Sequence, residues 1–138
     1  MTSATVLRLH YNSAEVGYWT ASSGVYTATS DRRLKKNIEP VLTVLPNLRK
    51  LDVVKYHFKR NEDESIKKQW GFIAQDVIKL FPELVDEGEK EEGQSEAYYG
   101  INYDNFGVLA IKAIQEQQAM IDELKKQVTE LMAKQNQE

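Results

Sequence analysis

The chain has 138 residues, of which 41% are hydrophobic and 28% are charged, and its net charge is −3. This length suits one domain, and the apolar share is low for a core that one chain fills by itself. The sequence contains no cysteine, which excludes disulfides and thiolate chemistry. It also contains no apolar run near the 18 residues that a membrane-spanning helix needs, so we predict no membrane partner.

The charges are distributed unevenly along the chain. Residues 30–60 hold nine Lys and Arg against three Asp and Glu, whereas residues 83–96 hold seven acids and one Lys. A basic segment can bind nucleic acid, but no recognised nucleic-acid motif accompanies this one. We therefore predict that the two blocks complement each other within or between chains, without a nucleic-acid partner.

The first 29 residues have the composition of β-structure. Residues 6–11 and 24–29 are rich in Val, Thr and Tyr and are bounded by turn residues, which predicts two short strands. The sequence begins directly with this segment, which suggests that it starts within a longer protein, and the composition is that of a fibrous β-stalk whose chains stabilise each other. Residues 41–50 then predict a short helix, bent near Pro46.

The middle of the chain alternates between strands and short helices. Residues 51–60 alternate as a strand does, and residues 68–74 predict a second strand that pairs with it as a hairpin. Residues 75–80 predict a short helix that Pro82 ends. Residues 86–96 are acidic and glycine-punctuated, which indicates a solvated loop or an extended arm.

Heptad spacing begins after Tyr103 and predicts a long helix. Two sets of residues recur every seven positions and correspond to the a and d positions of a heptad. The a positions are Ile114, Ile121 and Val128, and the d positions are Ala110, Gln117, Leu124 and Leu131. These residues predict a coiled coil of about 35 residues, although composition does not fix the number of helices. The alternative is a single amphipathic helix that packs on its own domain.

Ser30 and Lys35 are a candidate nucleophile and base. A serine attacks a carbonyl only after losing its proton, and a deprotonated lysine can accept that proton. Arg32, Arg33 and Lys36 are like charges that disfavour protonated Lys35. Side chains five residues apart point about 140° apart on a continuous helix, so a turn or a neighbouring chain has to bring them together. Alternatively, Ser30 is the N-cap of a short helix and has no chemistry.

Three motifs follow one another in a recognisable order. Residues 30–40 read Ser-Asp-Arg-Arg-Leu-Lys-Lys-Asn-Ile-Glu-Pro, and residues 71–77 read Gly-Phe-Ile-Ala-Gln-Asp-Val and lead to Phe-Pro-Glu-Leu-Val at 81–85. Residues 99–103 read Tyr-Gly-Ile-Asn-Tyr and lead to Ala-Ile-Lys-Ala-Ile-Gln-Glu at 110–116. This ordered set resembles the S74 peptidase family, the self-cleaving C-terminal chaperone of endosialidases and other phage tail spikes and fibres.

The resemblance implies autoproteolysis. Ser30 would be the nucleophile and Lys35 the general base of one intramolecular cut between Ser30 and Asp31. Arg33 and Asn37 match the motif and would support the oxyanion or the loop. Chemistry alone leaves the bond open, because attack on the preceding carbonyl, that of residue 29, passes through a five-membered ring. Attack on the carbonyl of Ser30 within one chain needs a strained four-membered ring.

The resemblance also implies a homotrimer. Such a chaperone holds the upstream β-stalk of the same polypeptide in register and is released after cleavage, in the host cytoplasm, leaving the stalk in the virion tail. The rival function is a permanent trimerisation tip without chemistry, and a weaker one is the self-cleaving segment of a membrane-tethered transcription factor. No cofactor is expected, and no metal site either, because His10 and His57 lie in separate strand-like segments without partner ligands.

Together these interpretations predict an α+β fold. Residues 1–30 would be the stalk end, residues 31–102 a chaperone head with helices and a β-hairpin, and residues 103–138 the coiled-coil helix of a trimer.

Overall fold

The computed structural model describes residues 5–60, 62–63, 65–90 and 92–136. Residues 1–4 of the predicted stalk, residue 91 of the predicted acidic arm and residues 137–138 of the predicted coiled-coil helix lie outside the described residues. The chain forms two compact units, residues 1–40 and residues 41–138. The elements are small antiparallel sheets and one long C-terminal helix, so the α+β class is confirmed.

The first unit is built on a three-stranded antiparallel sheet. Its strands are β1 (Val6–Tyr11), β2 (Ala14–Thr20) and β3 (Tyr26–Ala28), in the order β1-β2-β3. Asn12 and Ser13 join β1 to β2 and have φ values of 49° and 65°. Two consecutive positive φ values give the tight hairpin turn whose twist matches that of the strands.

The middle strand of this sheet was not predicted, because residues 14–20 contain a glycine, Gly17, in the interior of the strand. Gly17 lies inside β2 and is buried. A Cβ atom at this position would come within 2.8 Å of the Thr27 carbonyl oxygen and would also collide with the Tyr26 ring. The glycine is therefore what allows β3 and its tyrosine to lie close against β2.

The second unit contains the remaining strands and the α-helices. In chain order they are α1 (Leu45–Leu48), β4 (Val54–Tyr56), β5 (Gln69–Gly71), α2 (Ala74–Val77), β6 (Val85–Glu87), β7 (Tyr99–Ile101) and α3 (Asp104–Gln135). A 3-10 turn at Pro82–Leu84 precedes β6. The pairs β4–β5 and β6–β7 are both antiparallel, so the predicted hairpin between residues 51–60 and 68–74 is confirmed with shorter strands.

Two sequence predictions in this unit need correction. Pro46 does not bend a helix over 41–50, because α1 begins at Leu45 and places Pro46 in its first turn, where no N–H donor is needed. The acidic segment 86–96 is not wholly a loop or arm. Its first two residues belong to β6, and β7 pairs with that strand from beyond the segment, a pairing that the local composition did not reveal.

A small apolar core joins the short elements of this unit to the first half of α3. The buried apolar side chains of this core come from four places in the sequence: Val44 and Leu45, Val77, Phe81 and Leu84, and Ala113. Phe72 stacks on Phe106 with ring centroids 4.7 Å apart. The Tyr103 hydroxyl accepts a hydrogen bond of 3.0 Å from the Phe72 amide. These contacts fix the start of α3 on the head.

The second half of α3 has no such packing. Every described residue from Gln117 onward is exposed, a stretch of helix about 28 Å long at 1.5 Å per residue. The predicted seam residues Ile114, Ile121, Leu124, Val128 and Leu131 are 44–62% exposed. The single chain therefore leaves the whole heptad seam open, which argues against the alternative in which that face packs on its own domain.

Glu116 ties α1 to α3. Its carboxylate accepts hydrogen bonds from the Thr43 hydroxyl at 2.7 Å and from the Val44 and Leu45 amides at 2.8 and 3.2 Å. The Thr43 hydroxyl is the largest influence that lowers the pKa of Glu116. The two amides and the nearby positive charge of Lys112 act in the same direction, while desolvation opposes them. The carboxylate thus caps the start of α1 from a distant part of the sequence.

We expect acid to weaken this link. Because the pKa of Glu116 is lower in the folded chain, the carboxylate stabilises the fold above its ordinary pKa of about 4.5 and loses that effect as the pH falls through the lowered value. Glu116→Gln should therefore lower the thermal unfolding midpoint at pH 7, and the difference from wild type should shrink below pH 4. A difference that stays constant from pH 7 to pH 3 would contradict the role of the charge.

Candidate active site

Ser30 follows directly on the three-stranded sheet. The amide of Thr29 donates a hydrogen bond of 3.0 Å to the Val16 carbonyl oxygen, which extends the pairing of β2 and β3 to the residue before Ser30. The backbone that leads into Ser30 is therefore held by the sheet, while the Ser30 side chain is exposed.

A short 3-10 turn, Arg32–Leu34, then reverses the chain. The amides of Leu34 and Lys35 donate to the carbonyl oxygens of Asp31 and Arg32, each at 3.1 Å. The Asp31 carboxylate caps the turn by accepting a hydrogen bond of 2.8 Å from the Arg33 amide. The alternative in which Ser30 is the N-cap is therefore wrong, because Asp31 occupies that role and the Ser30 hydroxyl is left for another partner.

That partner is Lys35. The Lys35 Nζ atom donates a hydrogen bond of 2.7 Å to the Ser30 Oγ atom. A continuous helix could not bring side chains five residues apart together, but the 3-10 turn does so within one chain. This is the separation that a nucleophile and its base require for proton transfer. A deprotonated Lys35 at this distance could accept the Ser30 proton directly.

Arg33 holds the turn. Its guanidinium binds the Asp31 carboxylate through Nε at 3.0 and 3.2 Å and through Nη2 at 2.7 Å. The hydrogen bonds from Arg33 lower the pKa of Asp31, and the same contact raises the pKa of the Arg33 guanidinium. The motif suggested that Arg33 supports either the oxyanion or the loop. Because the Arg33 donors bind Asp31, these contacts favour a role in holding the loop.

Asn37 supports the same segment through its backbone. Its φ value is 52°, in the left-handed region that asparagine adopts more readily than most residues. This turns the chain two residues after Lys35. The backbone conformation therefore favours asparagine at position 37, and a β-branched residue there would be strained.

The remaining groups of the described chain add no metal or membrane element. Among these residues, no cluster of three or more His, Cys, Asp or Glu side chains is arranged to hold a metal ion. No helix in the same part of the chain is long and apolar enough to cross a membrane.

The residues that sequence reasoning missed are those that orient the pair. Asp31 was predicted as one side of the cleaved bond and not as the cap of the turn, and Val16 lies in a strand that was not predicted. An Asp followed two residues later by Arg, just before a reversal of the chain, is the signal that could have identified the cap.

Ser30 and Lys35 are hydrogen-bonded to each other across a capped turn, and this turn lies at the start of a segment that matches a known family. Residues 30–86 match the family Peptidase_S74, described as chaperone of endosialidase. No similar protein was found among the curated proteins. The match begins at Ser30 and contains the first two motifs, while the third lies beyond it. The resemblance predicted from the sequence is therefore confirmed over residues 30–86.

Proposed function

We propose that the chain is a self-cleaving intramolecular chaperone. It would trimerise, hold an upstream phage tail fibre or spike in register, and then be released by cleavage between Ser30 and Asp31. The observation that carries this proposal is the 2.7 Å hydrogen bond between Lys35 Nζ and Ser30 Oγ, at the start of the segment that matches the S74 family.

In the proposed reaction, Lys35 takes the proton of Ser30 and the oxygen attacks the carbonyl of Ser30. The bond to the Asp31 nitrogen breaks, and that nitrogen leaves as an amine after it receives the proton. Water then hydrolyses the resulting ester, so that one water is consumed and a carboxylate forms at Ser30. Within one chain this attack needs a four-membered ring, whereas attack by the Ser30 of a neighbouring chain in the trimer avoids it.

The chaperone role follows from the difficulty of assembling β-structure from several chains. Long-range pairing is slow because the entropy of loop closure is lost before the contacts form. A C-terminal coiled coil raises the local concentration of three stalk ends and aligns them. Cleavage would then remove the coiled coil and leave the stalk kinetically trapped. This would happen in the host cytoplasm, and the released stalk would belong to the virion tail.

The experiment is the intact mass of freshly purified full-length chain. We expect two species, residues 1–30 and residues 31–138, which accumulate with time after synthesis. A permanent trimerisation tip, the rival function, would remain a single chain of 138 residues. Mass spectrometry therefore separates the two functions directly, and an intact chain that persists as a stable trimer would contradict the proposal.

A further inference from the structure

The register of the first sheet places its side chains on two very different faces. Leu7 is opposite Trp19, Leu9 is opposite Gly17, and Trp19 is opposite Tyr26. Paired residues share a face, and successive residues along a strand point to opposite faces. One face of the sheet is therefore made only of uncharged, mostly apolar residues. We call this the apolar sheet face; its members are Leu7, Leu9, Tyr11, Ala14, Gly17, Trp19, Tyr26 and Ala28.

The opposite face carries the charges of the sheet. Arg8 forms an ion pair with Glu15, and its guanidinium lies 5.6 Å from the centre of the Tyr18 ring. Arg8, Glu15 and Tyr18 therefore contact one another on this side, and the apolar sheet face is left without a charged residue. This is the pattern of a sheet with one face against water and the other against protein.

The apolar sheet face is uncovered in the single chain. Leu7 and Tyr11 are 64% and 71% exposed, and Leu9, Trp19 and Tyr26 are 36–39% exposed. Among the described residues of this unit, Gly17 is the only one that is buried. A unit of this size without a core needs disulfides, a metal or association with other chains, and the chain has no cysteine.

The uncovered area is of the size that a small oligomer buries. Large side chains have on the order of 200 Å² each, so five of them at about half exposure leave roughly 500 Å² on each chain. That is near the upper limit for a stable monomer surface. Three such faces together amount to roughly 1,500 Å², which is within the range of stable interfaces.

We propose that the apolar sheet face is the surface on which three copies of this segment meet. The partner of each sheet is the same sheet of the other two chains. The Trp19 and Tyr26 rings, with centroids 4.8 Å apart, form the centre of the contact, and Gly17 leaves room for the Tyr26 ring because a Cβ atom there would collide with it. The proposal rests on the proposed function for the number of chains, because the coiled coil would bring the three faces together.

This surface also has a consequence for the cut. Ser30 is two residues beyond Ala28, the last residue of β3 and a member of the apolar sheet face. Packing of three faces would therefore order the backbone that leads into Ser30. The sheet contact and the nucleophile are parts of one short segment of chain.

The test uses Trp19 as a reporter in the full-length chain. The chain has two tryptophans, so Trp70→Phe leaves Trp19 as the single emitter, and Ser30→Ala keeps the chain whole. Acrylamide quenching of Trp19 is measured in the sedimenting trimer and in the same chain with Leu124→Asp. We expect quenching to be several-fold weaker in the trimer. Strong quenching in a chain shown to be trimeric would overturn the proposal and leave the coiled coil standing.

Two further outcomes discriminate between occupants of the face. Equal protection of Trp19 in Leu124→Asp monomers would mean that the same chain covers the face, and this also overturns the proposal. Leu7→Lys should restore quenching in the trimer, whereas Thr27→Lys, on the opposite face, should leave it unchanged. None of these measurements uses cleavage, so their failure is distinguishable from failure of the Ser-Lys chemistry.

Discussion

Replacing Lys35 by alanine is expected to slow cleavage of the full chain by about 10²–10⁴-fold, the usual contribution of a general base. The Lys35 Nζ atom lies 2.7 Å from the Ser30 Oγ atom, so its loss leaves the hydroxyl without this base. Lys35→Arg should be equally inactive, because a guanidinium remains protonated at any working pH. The measurement is a time course of intact mass after rapid purification.

Lys36 provides the matched control for this experiment. It is the next residue, it is also exposed, and the described contacts include no hydrogen bond from it to Ser30. Lys36→Ala removes the same charge from the same loop but leaves the base in place, so it should slow cleavage far less than Lys35→Ala does. A Lys35→Arg chain that cleaves as fast as wild type would show that Lys35 contributes charge and not proton transfer.

Leu124→Asp or Ile121→Asp should convert the proposed trimer to monomers. Leu124 is a d position of the seam and is 59% exposed in the single chain, and Ile121 is an a position and is 44% exposed. Either substitution should therefore change the stability of the unassembled chain little. In a trimer it places three carboxylates on the helix axis, at a cost of several kcal/mol. Sedimentation of the purified variant measures the result. Ala119→Asp, at an outward heptad position of the same helix, should remain trimeric.

The same variant tests whether cleavage depends on assembly. Ser30 and Lys35 are both exposed in the single chain, and a protonated lysine has to become neutral to act as the base. Neighbouring chains could provide the burial that favours the neutral form. We therefore expect Leu124→Asp monomers to cleave more slowly than trimers. Equal first-order rates would contradict this dependence without contradicting the chemistry, and trimers that persist in Leu124→Asp would exclude the seam.

The parts of the fold that could be predicted from the sequence are those set by local patterns. The heptad spacing predicted a helix from Tyr103, and α3 covers Asp104–Gln135. Alternation predicted the β4–β5 hairpin. The spacing of Ser30 and Lys35 excluded a continuous helix between them, and a 3-10 turn is present there. The helix and the turn depend on residues within about one heptad of one another, and the hairpin joins two strands that each show alternation in their own sequence.

The parts that could not be predicted depend on contacts that leave no local pattern in the sequence. Strand β6 pairs with β7 across a segment of acidic, glycine-containing sequence, where composition indicated only solvent. Strand β2 contains Gly17, and its role is visible only from the position of Tyr26 on the neighbouring strand. Glu116 binds Thr43, which is more than 70 residues away in the sequence. Helix periodicity does not predict which residue a polar side chain of this kind will contact.

The site shows the same division. The motif predicted Ser30 and Lys35 as a pair, but the Asp31 carboxylate, which caps the turn and binds Arg33, was not predicted as a cap, although its spacing from Arg33 could have indicated one. Both residues had been considered for roles in the reaction. Their contacts with each other instead explain why the turn between nucleophile and base keeps its shape, with the Ser30 hydroxyl free to bind Lys35.

The most direct test of the account is a side-by-side time course of wild type and Ser30→Ala, at equal concentration, with sequencing of the new amino terminus. We predict that wild type yields a fragment that begins with Asp31, and that Ser30→Ala remains whole over the same period. A fragment that begins with Ser30 would move the cut to the preceding bond, through the five-membered ring. The same two products from Ser30→Ala would contradict the central claim that the Ser30 hydroxyl performs the cleavage.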